Sequence, residues 1–416
     1  MKKLLLFSGF LSLNALAIAQ CGQRYHDKIF TDSTVSNIQY GSNVNRLNQA
    51  ENLNLDIHFP KGDTEAERPL IIIAHGGNFL GGSKTGSDVL PMAKDLARMG
   101  YVVSSIDYRV GMTNFPFPGP DDGDATESVM RAVHDARASV RFFRKSYENG
   151  NPYRIDTTKI FFAGVSAGGF MALHLAYLDQ MSEYPPQADT VNQYGLNGGL
   201  VGLSGNPGYS SKVHAIVNIA GAIGDTAWIK AGDEPVLNFH GTADATVPYG
   251  SDIIQLLGVY PLLMVHGSYS VNDKVDMLGI LNCFEIYEGQ NHVPHVSNAS
   301  YYDTTLNITR NFLAHFVCGD ALNCSYGPTI TAVHEVGTPG FLSGYPNPAN
   351  ELVQLNLEGF IGTVTITLTD MSGRIIRSFN CSGNQSTVMR NELPAGMYFI
   401  RAQAGEQVAT TKIVFE

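Results

Sequence analysis

"KIFFAGVSAGGFMALHLAYL", residues 159–178, sets a short β-rich run, 159–163, against a cluster of small residues and then a continuous apolar stretch, 170–178. Strand, tight turn and buried helix follow one another within twenty positions. At the turn, Gly164-Val165-Ser166-Ala167-Gly168 fits G-x-S-x-G, in which a sharp strand-to-helix bend exposes the serine hydroxyl and tolerates only small neighbours. Ser166 is therefore a candidate nucleophile, with a plain turn serine as the alternative.

Working outward, residues 50 to 318 alternate strand-like and helix-like stretches, which predicts a mostly parallel sheet covered on both faces, doubly wound. "LIIIAH" and "YVVSSIDYR" are near-continuous β runs with a helical stretch between them, and "VHAIVNIAG" and "PVLNFHG" supply later strands. Ligands on such sheets bind at the carboxyl ends of the strands. One such end carries "HGGNF", residues 75–79, a glycine-rich turn where backbone N–H groups can approach a developing oxyanion closely. Ala167 and either Gly77 or Asn78 are the expected donors. A nucleophilic serine also needs a base and an orienting carboxylate. "HGTADATVPY" offers Asp244 and "EGQNHVPH" offers His292, so the chain order is Ser166, Asp244, His292. Asp225 is the rival acid and His295 the rival base, while His240 and His174 read as packing or supporting residues. No metal set is expected, because His292 and His295 lack a carboxylate at metal spacing.

The chain has 416 residues, enough for more than one domain, and its formal charge of -11 argues against nucleic acid and anionic surfaces as partners. Met1-Lys2-Lys3, an apolar stretch and Ala17-Ile18-Ala19 have the order of a signal peptide ending at residue 19, too short for a bilayer span. Cys21 admits a lipoprotein reading that Gln20 disfavours. Five cysteines would then enter an oxidising compartment. The close spacing in "CGDALNC" predicts a Cys318–Cys324 bridge, with Cys21–Cys283 as a second pair and Cys381 left over.

From Gly337, "GTPGFLSGYPNPAN" has linker composition, and the pattern beyond it changes. Val353, Leu355 and Leu357 alternate with polar residues, as do Val364, Ile366 and Leu368, and short strands continue to the end. A small all-β sandwich is expected over 343–416, after a linker at 326–342, with the α/β domain filling 20–325.

Together, His75-Gly76-Gly77-Asn78-Phe79, Gly164-Val165-Ser166-Ala167-Gly168-Gly169, Gly241-Thr242-Ala243-Asp244 and Gly289-Gln290-Asn291-His292 resemble the carboxylesterase and hormone-sensitive-lipase-like α/β-hydrolases. Asn78 stands where many relatives have a third glycine. "YPNPANELVQL", "DMSGRII" and "LPAGMYFIRA" are similar to type A sorting domains of the type IX secretion system of Bacteroidetes. The resemblance implies a secreted or cell-surface serine esterase without cofactor. Its substrates would be small-molecule or polysaccharide-linked esters such as acetyl or feruloyl esters, with polyesters or simple aryl and alkyl esters as alternatives. A peptidase, or a binding protein on a hydrolase scaffold, is a weaker reading. The polar, glycine-rich stretch 179–212 stands where relatives carry a cap, and Trp228 and Tyr209 are candidate substrate contacts.

Overall fold

The computed structural model describes residues 21–188, 194–326, 341–370, 374–405 and 407–416. The expected signal peptide and most of the expected linker lie outside the described residues. The chain divides into two compact units, Met1–Thr331 and Ala332–Glu416.

The first unit is built on an eight-stranded sheet. Its strands are β1 (Thr31–Val44), β2 (Ala50–Lys61), β3 (Arg68–Ala74), β4 (Val102–Ile106), β5 (Ile155–Val165), β6 (Ala215–Ile219), β8 (Val236–Gly241) and β11 (Asn282–Tyr287), in the order β1-β2-β4-β3-β5-β6-β8-β11. The hairpin β1–β2 is antiparallel and forms one edge; from β4 to β11 all neighbours are parallel. Every residue of β3, β4, β6 and β8 is buried, which is why these strands read as unbroken apolar runs. Alternation then splits β3 between two cores. Leu70 and Ile72 pack with α2 (Asp122–Glu148) and α3 (Ala167–Tyr177), whereas Ile71 and Ile73 pack with α1 (Leu90–Arg98) and α5 (Ala299–Cys318). Asp121 caps α2, and Gly279 and Gly319, both left-handed, end α4 (Ser268–Leu278) and α5.

A separate three-stranded sheet, β7 (Ala222–Ile223), β10 (Tyr260–Gly267) and β9 (Ser251–Leu256), was not expected from the sequence. Its hairpin β9–β10 inserts between Asp244 and α4, and β7 comes from the loop after β6. No helix among the described residues is long and apolar enough to cross a membrane.

The cysteine pairing differs from expectation. Cys21 is bonded to Cys318 and Cys283 to Cys324, not Cys318 to Cys324 or Cys21 to Cys283. Residues 21–27 run beside the end of α5, where Arg310 donates to the His26 carbonyl and His26 meets the Asp320 carboxylate at 3.1 Å. That docking brings Cys21 within a Cα distance of 5.6 Å of Cys318, and Cys324 turns back to β11. Cys381 is free.

Both sheets of the second unit are antiparallel. One sheet orders β12 (Phe341–Tyr345), β13 (Leu352–Glu358) and β16 (Gln385–Met389); the other orders β15 (Ile375–Cys381), β14 (Val364–Thr369), β17 (Gly396–Ala404) and β18 (Gln407–Phe415). Val353, Leu355, Leu357, Val364, Ile366 and Leu368, the alternating residues of the sequence pattern, form its core.

Candidate active site

Ser166 sits between β5 and α3 with φ 53° and ψ -114°, a conformation that a non-glycine residue holds at a cost of roughly 1–3 kcal/mol and that clusters at functional sites. Its N–H donates to the Ile219 carbonyl at 2.8 Å, which fixes the bend to the end of β6. The neighbouring glycines are steric necessities. A Cβ at Gly164 would run into the Gly168 carbonyl, one at Gly168 into the Ala74 carbonyl, and one at Gly169 would lie 2.5 Å from Asn218 Oδ1.

His292 reaches the serine from the loop after β11. Its Nδ1 lies 2.7 Å from Asp244 Oδ2 and its Nε2 2.9 Å from Ser166 Oγ. A carboxylate only accepts, so Nδ1 carries the proton and Nε2 accepts from the serine hydroxyl. The Asp244 side chain is fully buried, and its other oxygen accepts from the N–H groups of Thr246 and Val247 at 2.8 and 2.9 Å. Burial pushes this carboxyl up, but the hydrogen bonds from His240 and His292 outweigh it and hold it well below the usual carboxylate range. The acid is thus charged and pointed at the imidazole.

His240 is more than packing. Its Nε2 lies 3.2 Å from Asp244 Oδ2 and 3.1 Å from the Val247 carbonyl, and neither can donate, so Nε2 is the protonated nitrogen. Nδ1 then accepts from the Ser268 hydroxyl at 2.7 Å, while Ser268 Oγ accepts from Asn218 at 3.1 Å. A buried chain of polar groups therefore runs beneath the acid, with one consistent set of protons. The sequence offered no sign of Ser268 or Asn218 in this part.

The rival residues stand outside the line from Asp244 to Ser166, although Asp225 and His174 are in the wall of the same cavity. Asp225 is exposed and caps the turn Thr226–Trp228 through the Ala227 N–H. His295 is buried, and burial pushes its imidazole down to about 4. His174 donates from Nδ1 to the Phe170 carbonyl, and burial likewise lowers it to about 4.

The turn after β3 faces Ser166. Gly77, Asn78 and Phe79 all have positive φ, 119°, 54° and 57°, so the asparagine occupies a left-handed position that asparagine tolerates well. The N–H groups of Asn78 and Ala167 have no protein acceptor among the described residues, and both residues line the cavity with Ser166. Asp88, which sequence reading missed, fixes this turn by accepting the Gly76 N–H at 2.7 Å. Tyr108 supports it from below, donating to the His75 carbonyl at 2.8 Å and stacking on the imidazole.

A cavity of about 570 Å³ opens beside Ser166. Val129 and Met130 of α2 form one wall, and Trp228, edge-on to His174 at 5.5 Å, forms another. Tyr184 and Pro185 bring the segment 179–212 to the rim. Beyond them this segment is strapped to α2. Arg137 donates to the Leu200 carbonyl, Arg141 to those of Val201 and Gly205, and Arg109, paired with Asp135 in full burial, to that of Gly195. Tyr209 is not at the site: it is absent from the cavity wall and donates to Glu148 instead. The remaining wall is the hairpin β9–β10, through Ile254, Leu256, Leu262 and Val265.

A bent serine at a strand end, a histidine and aspartate following it in chain order, and an open glycine-rich turn opposite define an α/β-hydrolase. Residues 55–225 match the family model described as BD-FAE, and residues 343–416 match the Secretion system C-terminal sorting domain. The chain carries a BD-FAE domain, of the hormone-sensitive-lipase-like kind of α/β-hydrolase, followed by a type IX sorting domain. A stretch of 136 residues is 32% identical to the non-reducing polyketide synthase atr1 of Stereocaulon alpinum, over 32% of this chain. The chain spans only 5% of that relative's length. Similar solved structures include propionate-bound esterase 2 of Thermogutta terrifontis, at 20% identity and a TM-score of 0.48, covering 70% of this chain and 97% of that one. A truncated carbohydrate esterase from gut microbiota is similar at 19% identity and a TM-score of 0.44, over 69% and 97% of the two chains.

Proposed function

We propose that the protein is an exported serine esterase in which Ser166 attacks the ester carbonyl and His292 takes its proton and returns it to the leaving alcohol. Asp244 orients His292 and stabilises the imidazolium, and the N–H groups of Ala167 and Asn78, with Gly77 as the alternative donor, receive the oxyanion. Water, activated by His292, then releases the acid. The observation that carries this reading is the unbroken hydrogen-bonded line from Asp244 through His292 to Ser166.

The cavity bears on the acyl group. An acetyl group would leave most of a space of about 570 Å³ empty, whereas an arylacyl group such as feruloyl, or a longer alkyl acyl group, would fill its apolar side against Trp228, Phe170 and Leu262. The sorting domain directs the enzyme outside the cell or to its surface, where such esters occur on plant polysaccharide. No cofactor enters the mechanism.

Ser166→Ala, Asp244→Asn and His292→Ala are each expected to lower kcat on a p-nitrophenyl ester by at least about a thousandfold with the melting temperature retained. Near-normal turnover by folded Ser166→Ala would eliminate the mechanism. Loss in His295→Ala, with activity kept in His292→Ala, would reassign the base.

A further inference from the structure

Two-residue hairpin turns at a water-facing tip favour Asn, Asp and Gly, because the backbone needs positive φ and the side chain meets solvent. At the tip of β9–β10 one residue, Leu257, departs from both preferences. The central residues of the turn are Leu257, at φ 53°, and Gly258, at φ 68°, with the Val259 N–H closing the turn on the Leu256 carbonyl. Leu257 is 62% exposed and Val259 67%. A bulky leucine in left-handed backbone, held out into water, breaks a local rule of folding; such departures concentrate at functional positions.

The apolar surface continues from the tip. Ile253 and Met264 face each other directly in the β9–β10 register, and both are exposed. Phe117, the most exposed of the large apolar side chains, lies on a loop fastened to the same hairpin: Tyr260 packs edge-on to Phe115 and donates to the Pro116 carbonyl at 3.1 Å. From the same hairpin Ile254, Leu256, Leu262 and Val265, with Gln255, line the cavity that holds Ser166, and Met264 belongs to both surfaces. Met264, at once exposed and in the cavity wall, links the outer apolar face of the hairpin to the cavity that holds Ser166.

We infer that the β9–β10 hairpin, with Phe117, docks the enzyme onto a water-insoluble apolar ester phase and that acyl groups pass from this phase into the cavity. The occupant is the condensed substrate itself, because the same hairpin presents exposed apolar side chains to solvent and lines the cavity that receives the reacting group, with Met264 on both faces. A carbohydrate chain would call for hydrogen-bonding side chains that these five positions lack, and a formal charge of -11 disfavours anionic lipid. The inference rests on the ester hydrolysis proposed above.

Binding and turnover separate the two ideas. Ser166→Ala protein is mixed with glyceryl tributyrate droplets, acetylated xylan or phosphatidylcholine vesicles, and the retained fraction is measured with and without Leu257→Ser/Val259→Ser. The tip substitutions should weaken droplet binding about tenfold or more, because they remove two aliphatic side chains that the ester phase would otherwise take out of water. In the otherwise wild-type enzyme, the rate on tributyrate should rise steeply as the ester passes its solubility limit, and the double variant should lose that rise. Its turnover of dissolved p-nitrophenyl butyrate should stay within about twofold, since neither residue lines the cavity. Equal droplet binding by both proteins would overturn the inference, as would binding that tracks the tip on vesicles or xylan but not droplets. A dimer that the tip substitutions dissolve, without droplet binding, would overturn it in favour of a contact between copies. Droplet binding with no hydrolysis of any ester would instead remove the proposed function and leave the docking surface standing.

Discussion

Four N–H groups point at the Asp244 carboxylate, from His292, His240, Thr246 and Val247, and His240→Phe removes one while keeping a ring of similar size. A hydrogen bond to a charged group is worth about 1.5–3 kcal/mol. This one is 3.2 Å long and shared with the Val247 carbonyl at 3.1 Å, which puts it at the lower end. The bond fixes which way Asp244 presents its oxygen to His292, so its loss lets the carboxylate swing and takes His292 out of line with Ser166. About 1.5 kcal/mol of lost orientation, felt at the barrier, corresponds to about a tenfold fall in kcat. Stopped-time assays of a p-nitrophenyl ester on both proteins, with melting curves as a control, separate kcat from KM. KM should hold within about twofold; a folded variant whose KM rises with kcat unchanged would show that His240 shapes the cavity rather than the acid, and unchanged kcat and KM would refute the reasoning outright.

Gly169→Ala places a Cβ 2.5 Å from Asn218 Oδ1 and 2.9 Å from Gly221 Cα. Restoring ordinary contact pushes the start of α3 outward by several tenths of an ångström and should lower kcat on the order of a hundredfold, at a stability cost of about 1–3 kcal/mol by thermal melting. Burial lowers His134 to about 3 and His174 and His295 to about 4, so between roughly pH 6.5 and 4 the unfolded state binds the extra protons and stability falls with pH. Each should contribute on the order of 2 kcal/mol of destabilisation by pH 5; the melting temperature should drop between pH 7 and 5, and less so in His295→Phe. The two units have separate cores, so a chain ending at Tyr326 should hydrolyse a dissolved ester at close to the full-length rate. Failure of that folded chain to turn over would mean that the C-terminal unit completes the site.

The parts of the site that depend on chain order and small residues were legible: the glycines around Ser166 are demanded by backbone collisions, and Asp244 and His292 follow strands recognisable from composition. The β9–β10 hairpin was not, because its apolar residues serve both the cavity and the outer surface, so "SDIIQLLGVYPLLMVHG" lacks alternation, and its turn lacks the usual Asn-Gly. Disulfide pairing escaped for a different reason. Proximity in "CGDALNC" suggested a local loop, whereas α5 ends at Cys318 and sends it toward the N-terminal segment. Trp228 follows a strand end and reaches the cavity wall, but Tyr209, in a long polar stretch with no periodicity, gave no sign of the direction it would face. Asp88 acts through one backbone hydrogen bond across a loop, a contact that leaves no mark in spacing.

The Cys21–Cys318 bond spans 297 positions and encloses nearly the whole first unit. Covalently, that unit is a closed ring. A single peptide-bond cleavage between the two cysteines opens the ring without releasing a fragment, so Ser166, Asp244 and His292 stay on one connected molecule after the nick. Outside a cell, where proteases share the medium, damage to an exposed turn such as Leu257–Gly258 would be visible on a reducing gel and invisible on a non-reducing one.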